Sequence, residues 1–452
     1  MAALPDEFIQ SLRGLPGFNE QAFLAAHRQP APVSVRKNPF KFRETLPHES
    51  DRTWGDTVYL SERPVFTLDP LFHAGCYYVQ EASSTFIGQL FQSLAGLQRP
   101  LRVLDLCAAP GGKSTDLLSV IHPESLLVCN EVIRTRVGVL EENIIKWGTA
   151  NTVVTNNDPA DFGKLEGYFD AIVVDAPCSG SGLFRKDPEA ISEWNEAQVE
   201  LCSKRQHRIL EDVIPALKEG GLLIYSTCSY SKEENEDVAD HIMEIAEFDS
   251  LPKQDQPVGA VKSTSEKHGA VGFRFYPDQF KGEGFFTAAF RKRSAAGNVK
   301  TRAAGPKPVT SAERALLGQF VKNETDSIVF FRHGDFIHFM HRAHQHDLGL
   351  LQEHLYVKNA GTVAGRIVNG ELIPSHDLAL SIHLRPGIPR ISVDRPTALK
   401  YLKREEIKLP GAAPGWSLLA FTGHPLGWVK ILPNRVNNYY PKEWRILKDL
   451  PA

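Results

Sequence analysis

From residue 101 onward the chain alternates short, nearly unbroken apolar runs with amphipathic stretches, and no other property restricts its fold as tightly. The runs cover residues 101–106, 125–130, 151–155, 170–175 and 221–227. Helix-length segments lie between and after them, at 113–121, 134–147, 195–217 and 233–245. Strands that are apolar on both faces must be covered on both faces, which is the signature of a parallel sheet sandwiched by helices. Two Phe-rich pieces at 271–276 and 284–291, separated by a polar turn, are expected to close the sheet as a hairpin. The fold class expected is therefore α/β, a doubly wound sheet ending in a β-hairpin.

A chain of 452 residues is too long for one core, and about two to four domains are expected. The expected division is a small α+β segment at 1–82, the α/β unit at 83–293, a basic linker at 294–312, a small α+β unit at 313–383 and a terminal β unit at 384–452. Hydrophobic content of 42% and charged content of 23% are ordinary for a soluble globular protein. The longest apolar runs are strand-sized, so no membrane partner is expected. The first ten residues lack a basic stretch followed by an apolar one, so no secretory signal is expected. Six cysteines are present with no C-x-x-C pair, which disfavours a zinc ribbon or a disulfide framework and points to the cytoplasm.

The net charge of −3 conceals an asymmetry: residues 384–452 hold twelve Lys and Arg against five Asp and Glu, a local +7. Further basic clusters lie at 291–307 and 36–43. Grouped cations of this kind suit phosphate binding, so nucleic acid is an expected partner; the competing reading is a merely solvated surface.

The first strand runs into the turn "CAAPGGK" (Cys107, Ala108, Ala109, Pro110, Gly111, Gly112, Lys113), which opens a helix. Small residues there let backbone approach a ligand at the carboxyl edge of the sheet. A phosphate loop would need Gly where Cys107 stands, and a dinucleotide fingerprint would need G-x-G-x-x-G. Glu131 ends the second strand and Asp158 follows the third. With Asp105 they form three carboxylates at successive strand ends, which would repel phosphates but suit a cationic sulfonium with a free ribose. S-adenosylmethionine is therefore the expected cofactor, and the fold a Rossmann-like methyltransferase core. Taken singly, each carboxylate reads as a helix cap.

The fourth strand ends in "DAPCSGSG" and the fifth in "STCSYS", so Cys178 and Cys228 leave adjacent strands beside the turn. A thiolate that adds to C6 of cytosine makes C5 nucleophilic enough to take a methyl group, and a group that protonates or hydrogen-bonds N3 assists. Asp175 is placed for that task. Such chemistry needs the base out of its stack, in a pocket that Pro177 and the Gly180/Gly182 loop could shape. The alternatives are two buried structural thiols or a redox pair, and residue chemistry alone leaves open which thiol attacks. Cys76, Cys129 and Cys202 read as structural, and Cys107 as part of the turn.

Taken together, "CAAPGGK", Glu131, Arg136, Asp158, "DAPCSG" (175–180) and "STCS" (226–229) resemble the Sun/NSUN family of RNA (cytosine-5) methyltransferases over about 80–291. The resemblance implies that Cys228 attacks C6, that Cys178 helps release the enzyme from its product, and that Asp175 is catalytic. It implies that the 107–113 turn, Glu131, Arg136, Asp158 and Asp175 hold S-adenosylmethionine. "SVRKNP" (34–39) resembles the family's N-terminal RNA-binding segment, and "HPLGWVKILPNRVNNYYPKEWR" (424–445) the PUA-like domain of the bacterial branch that modifies 16S ribosomal RNA. The implied partner is 16S rRNA or the small ribosomal subunit, and the chain is expected to act as a monomer. The other activities considered are a transfer-RNA or protein methyltransferase and a non-catalytic RNA binder on the same scaffold. His338, His341, His344 and His346 read as structural rather than as metal ligands. Trp428, Tyr439, Tyr440 and Trp444 could stack on bases, but at least half are expected to be core.

Overall fold

The computed structural model describes residues 4–251, 258–299, 305–322 and 327–449. Its centre is a sheet of strands β1 (Arg102–Asp105), β2 (Leu126–Asn130), β3 (Thr152–Thr155), β4 (Phe169–Asp175), β5 (Leu217–Thr227), β6 (Val271–Phe275) and β7 (Phe285–Lys292). Their order is β6-β7-β5-β4-β1-β2-β3, with β1 to β5 parallel and the last two antiparallel. The principal helices are α1 (Gly112–Val120), α2 (Arg134–Trp147), α3 (Glu196–Val213) and α4 (Glu236–Ile245).

The period-2 pattern accounts for the layering. Leu104, Val128, Val153, Ile172 and Leu223 pack into one apolar cluster. Their chain neighbours Val103, Leu127, Val154, Val173 and Ile224 pack into a second cluster on the other face. Helix α3 is shorter than the expected 195–217 because Pro215 lacks an amide donor, and the chain passes through a 3-10 turn, Ile214–Ala216, into β5.

Both edges of the sheet carry strands that periodicity does not reveal. Ala260–Thr264 pairs with β6, and Val357–Ala360, from the expected small α+β unit, pairs antiparallel with β3. That unit's own sheet is Ile328–His333, Phe336–His341, Thr362–Val368 and Glu371–Pro374. The N-terminal sheet (Val33–Lys37, Glu49–Arg52, Thr57–Leu60, Tyr77–Val79) and the C-terminal one (Arg390–Ser392, Gly415–Phe421, His424–Leu432, Arg435–Asn438) meet across a shared core. Val35, Phe42, Val58 and Tyr77 there contact Tyr401, Leu402, Val429 and Tyr440.

The stretch at 294–312 has a linker's composition, yet its described parts are pinned. Val299 N donates to Glu166 O at 3.0 Å, Arg332 N donates to Lys307 O at 2.9 Å, and Thr310 caps a helix, Ser311–Leu317. Residues 300–304, which include Lys300 and Arg302, lie outside the described residues. No helix among the described residues is long and apolar enough to cross a membrane.

Part of two of the three basic clusters is consumed within the fold. Arg36 and Lys37 are buried, and so is Lys292, whose ammonium donates to Ile214 O and Leu217 O. Arg291 donates to Gly220 O and Leu94 O. They read as surface cations because their partners are mostly backbone carbonyls, which leave no mark in a charge pattern. The aromatic residues Trp428 and Tyr440 are fully buried, and Tyr439 and Trp444 are half-buried against the same cores. His338 Nδ1 contacts Ala360 O at 3.0 Å and His344 Nδ1 contacts Asp347 Oδ2 at 3.3 Å, so both serve the fold.

Candidate active site

The carboxyl edges of β1, β2, β4 and β5 converge on two adjoining cavities. At the end of β1 the chain passes through a cis Ala109–Pro110 bond to Gly111, whose φ of +112° lies in the left-handed region and which caps α1. Arg136, on the first turn of α2, donates to Ala109 O at 2.6 Å and faces Glu131 at 3.4 Å, so one cation ties the turn to the end of β2.

The first cavity, about 490 Å³, is lined by Cys107, Ala109, Asn130, Glu131, Arg136 and Asp175, with Val132, Ile133, Pro159 and Ile209 as apolar walls. The second, about 330 Å³, lies across the turn, between Ala108, Pro110, Gly112 and Lys113 and residues Tyr78, Gln80, Glu81 and Phe285. Cys107, Ala109, Asp175, Leu183 and Cys228 line both, so the two spaces communicate at Asp175 and Cys228. Of the sequence-expected residues, Gly111 and Asp158 line neither cavity, and Ala108, Pro110 and Gly112 line the second alone. Asp158 caps the short helix Pro159–Gly163 and pairs with Arg208 at 3.3 Å, and it is not part of either wall. Lys113 lies on the second cavity and not on the first.

Beneath the turn Asp105 is fully buried, accepting from Ser114 Oγ at 2.6 Å through Oδ2, while Oδ1 has no hydrogen-bond partner among the described residues. Burial outweighs the Ser114 bond and pushes its carboxyl up to about 7. Glu131 is also buried and accepts from Ile133 N at 2.8 Å.

Strands β4 and β5 lie side by side with Asp175 opposite Ser226, and this register sets the reactive groups. Asp175 accepts from Ser226 Oγ at 2.8 Å and from Lys113 Nζ at 2.7 Å. Burial pulls the Lys113 ammonium down, but the Asp175 charge and hydrogen bond more than offset it and leave it raised. Beyond the strand ends, Cys178 Sγ and Cys228 Sγ stand 3.1 Å apart. The hydrogen bond to Cys228, then burial, hold the Cys178 thiol well above its ordinary range.

Two features of this arrangement are invisible in the sequence. Glu234, fully buried, accepts from Ser179 N at 2.8 Å, Ser179 Oγ at 2.5 Å, Ser229 Oγ at 2.5 Å and Gln206 Nε2 at 3.2 Å. Its carboxylate clamps the loops that carry both cysteines, and it lies in an acidic run (Glu233, Glu234, Glu236, Asp237) that reads as a solvated helix start. Gly182 N donates to Cys228 O at 2.8 Å, and a methyl group on Gly182 would stand 2.6 Å from that oxygen and also clash with Gly284 O. Only glycine lets the two loops approach so closely.

Known proteins resemble this chain over most of its length. Residues 94–291 match the family described as 16S rRNA methyltransferase RsmB/F, 389–446 its methyltransferase RsmF PUA domain, and 4–82 the N-terminal domain of 16S rRNA methyltransferase RsmF. The chain is 30% identical to ribosomal RNA small subunit methyltransferase F of Shewanella loihica, over 98% of this chain and 96% of that one. It is 33% identical to the protein of the same name from Pectobacterium atrosepticum, over 72% and 71%. Among solved structures, a methyltransferase homolog from Pyrococcus horikoshii aligns with a TM-score of 0.51 at 26% identity, covering 64% of this chain and all of that one (100%).

Proposed function

Since the chain belongs to the 16S rRNA methyltransferase RsmB/F family, we propose that it methylates C5 of a cytosine in 16S rRNA through a covalent adduct on Cys228. The single observation that carries the mechanism is the 3.1 Å contact between Cys178, on the first cavity, and Cys228, on the wall that the two cavities share. The first cavity fits S-adenosylmethionine: its apolar walls suit adenine and Glu131 suits the ribose hydroxyls, while Asp105, buried behind the turn and outside the lining, keeps an unpartnered Oδ1 toward which a cationic group would be drawn. When bound, this cofactor supplies an electrophilic methyl group.

The second cavity receives the target cytosine, extruded from its stack or taken from a single strand. Cys228 Sγ adds to C6, and the C5=C6 electron pair moves to C5 as N3 takes the proton held at the Lys113–Asp175 pair. C5 bonds the methyl group and then releases its own hydrogen as a proton to water. The electrons left behind restore the C5=C6 bond as the S–C6 bond breaks, and N3 returns its proton to the Lys113–Asp175 pair. Cys178 donates its thiol proton to the departing Cys228 sulfur, and exchange between the two sulfurs resets the site.

In this reading residues 83–293 carry the chemistry, while 1–82 and 384–452 hold RNA. In the same reading the chain acts as a monomer in the cytoplasm, where ribosomal RNA and reduced thiols are found. The test uses purified variants with a 16S rRNA transcript. Cys228→Ala should abolish methylation, and Cys178→Ala should accumulate a protein–RNA adduct stable to detergent. Activity in Cys228→Ala, or an adduct through Cys178 in its place, would overturn the assignment.

A further inference from the structure

A third cavity, about 320 Å³, lies away from the active site at a junction of the N-terminal segment, residues 379–390 and the C-terminal hairpin turn. Its position is set by Lys41, whose ammonium donates to Lys146 O at 2.6 Å and Ala74 O at 3.2 Å. Lys146 stands near the far end of α2, ten residues beyond Arg136, so at ~1.5 Å per residue the cavity lies about 15 Å along the helix from the cofactor turn.

Three observations describe what the cavity could hold. Its walls carry three basic side chains, Lys41, Arg390 and His424, and no acidic one. Phe40 and Ile382, which also line it, are 45% and 37% exposed, among the few large hydrophobic residues that this fold leaves open to solvent. Lys41 has two of its three N–H groups on backbone carbonyls and no carboxylate partner among the described residues, and burial pulls its ammonium down to about 7. Arg390 is exposed at the start of the short strand Arg390–Ser392. Glu44 reaches His424 only at 3.9 Å, from outside the lining. Burial pulls the His424 imidazole down, so the charge at this wall rests on Arg390 and, in its protonated form, on Lys41. An open aromatic face beside a guanidinium and an ammonium is how proteins hold a nucleotide: the ring takes the base and the basic groups take the phosphate.

We propose that this cavity seats a flanking nucleotide of the substrate RNA, with its base on Phe40 and its phosphate at Lys41 and Arg390, which presupposes the rRNA reading above. At ~3.4 Å per stacked nucleotide the separation along α2 corresponds to about four or five positions from the methylated cytosine. The site then acts as a ruler: it fixes the register of the strand on a surface that the N- and C-terminal segments build jointly.

The test compares wild type, Phe40→Ala, Arg390→Ala and Phe40→Trp on two probes, a 16S rRNA transcript and isolated small ribosomal subunits. Loss of one stacked base is expected to weaken binding of the transcript by Phe40→Ala about 5- to 150-fold, while Phe40→Trp retains it. Arg390→Ala should weaken binding and reduce the salt slope by about one. Affinity for S-adenosylmethionine and the rate at saturating RNA should stay at wild-type values in all three, since none of these residues touches either active-site cavity. A 4-thiouridine transcript should also crosslink to the peptide that contains Phe40. Affinity for the transcript within about twofold of wild type in both alanine variants would overturn the site. A defect seen on subunits alone would also overturn it, in favour of a ribosomal-protein contact. Failure of the wild-type protein to methylate either probe would instead strike the parent reading.

Discussion

Asp105→Asn offers the sharpest test of how the cofactor cavity works. The Asp105 carboxyl is fully buried, has one oxygen without a partner among the described residues, and is pushed up to about 7 from an ordinary 3.8. That difference corresponds to about 4 kcal/mol against ionisation in the ligand-free protein. The folded value is raised, so the stability drawn from the protonated form is present in full below pH ~4 and lost as pH climbs through about 7. A cationic ligand above Asp105 reverses the preference by favouring the carboxylate. At pH ~6 only about one-tenth of the ligand-free protein has Asp105 ionised, and apparent affinity scales with the competent fraction. S-adenosylmethionine should therefore bind about tenfold more weakly at pH ~6 than at pH ~8, with release of a proton. Calorimetric titration in two buffers of different ionisation enthalpy measures both quantities without RNA. Asp105→Asn should bind more weakly, with no proton release and a flat pH profile. A flat profile in the wild type, or the same slope in the variant, would refute the reasoning.

Glu234→Ala should leave the buried Ser179 amide unsatisfied, slacken both cysteine loops and lower the single-turnover rate about 100-fold. Glu234→Gln, which can still accept from Ser179 N, should retain most of that rate, and near-equal rates in the two variants would show that the clamp does not matter. Gly182→Ala should cut the methylation rate by a similar factor, about 100-fold, while S-adenosylmethionine affinity holds, because the clash falls on the Gly284 and Cys228 carbonyls and leaves Glu131, Arg136 and the apolar walls of the first cavity untouched. For the cysteine pair, adduct yield in Cys178→Ala against pH should follow the nucleophile alone, once the donor 3.1 Å from Cys228 is gone.

The α/β core was legible because its strands are buried on both faces and leave apolar runs that only one architecture satisfies. The approach of Cys178 to Cys228 also followed from the sequence, since each lies just beyond one of two neighbouring parallel strands. Glu234 was not legible: its burial depends on Ser179 and Gln206, 55 and 28 residues away, and nothing local separates it from Glu233 and Asp237, which are exposed. Arg36 was misread as surface charge for the same reason. It donates to Gln80 Oε1, Gly112 O and Thr115 O and lies over the Trp147 ring, contacts that exist only once the N-terminal segment is packed on α1 and α2. Asp158 shows how one position serves two readings: it follows the third strand as expected, and in the fold its carboxylate caps a short helix and pairs with Arg208.

The core shared by the two ends of the chain has a consequence for biogenesis. The apolar face presented by Val35, Val58 and Tyr77 is completed by Tyr401, Val429 and Tyr440. Those partners leave the ribosome only after some 360 further residues are made, which at ~5–20 residues per second is about 20–70 s. During that interval the nascent N-terminal sheet carries an uncovered greasy face, so the chain is a natural client for holding chaperones. Proteins released by premature termination between residues 401 and 440 should be insoluble even though the entire catalytic core has been synthesised.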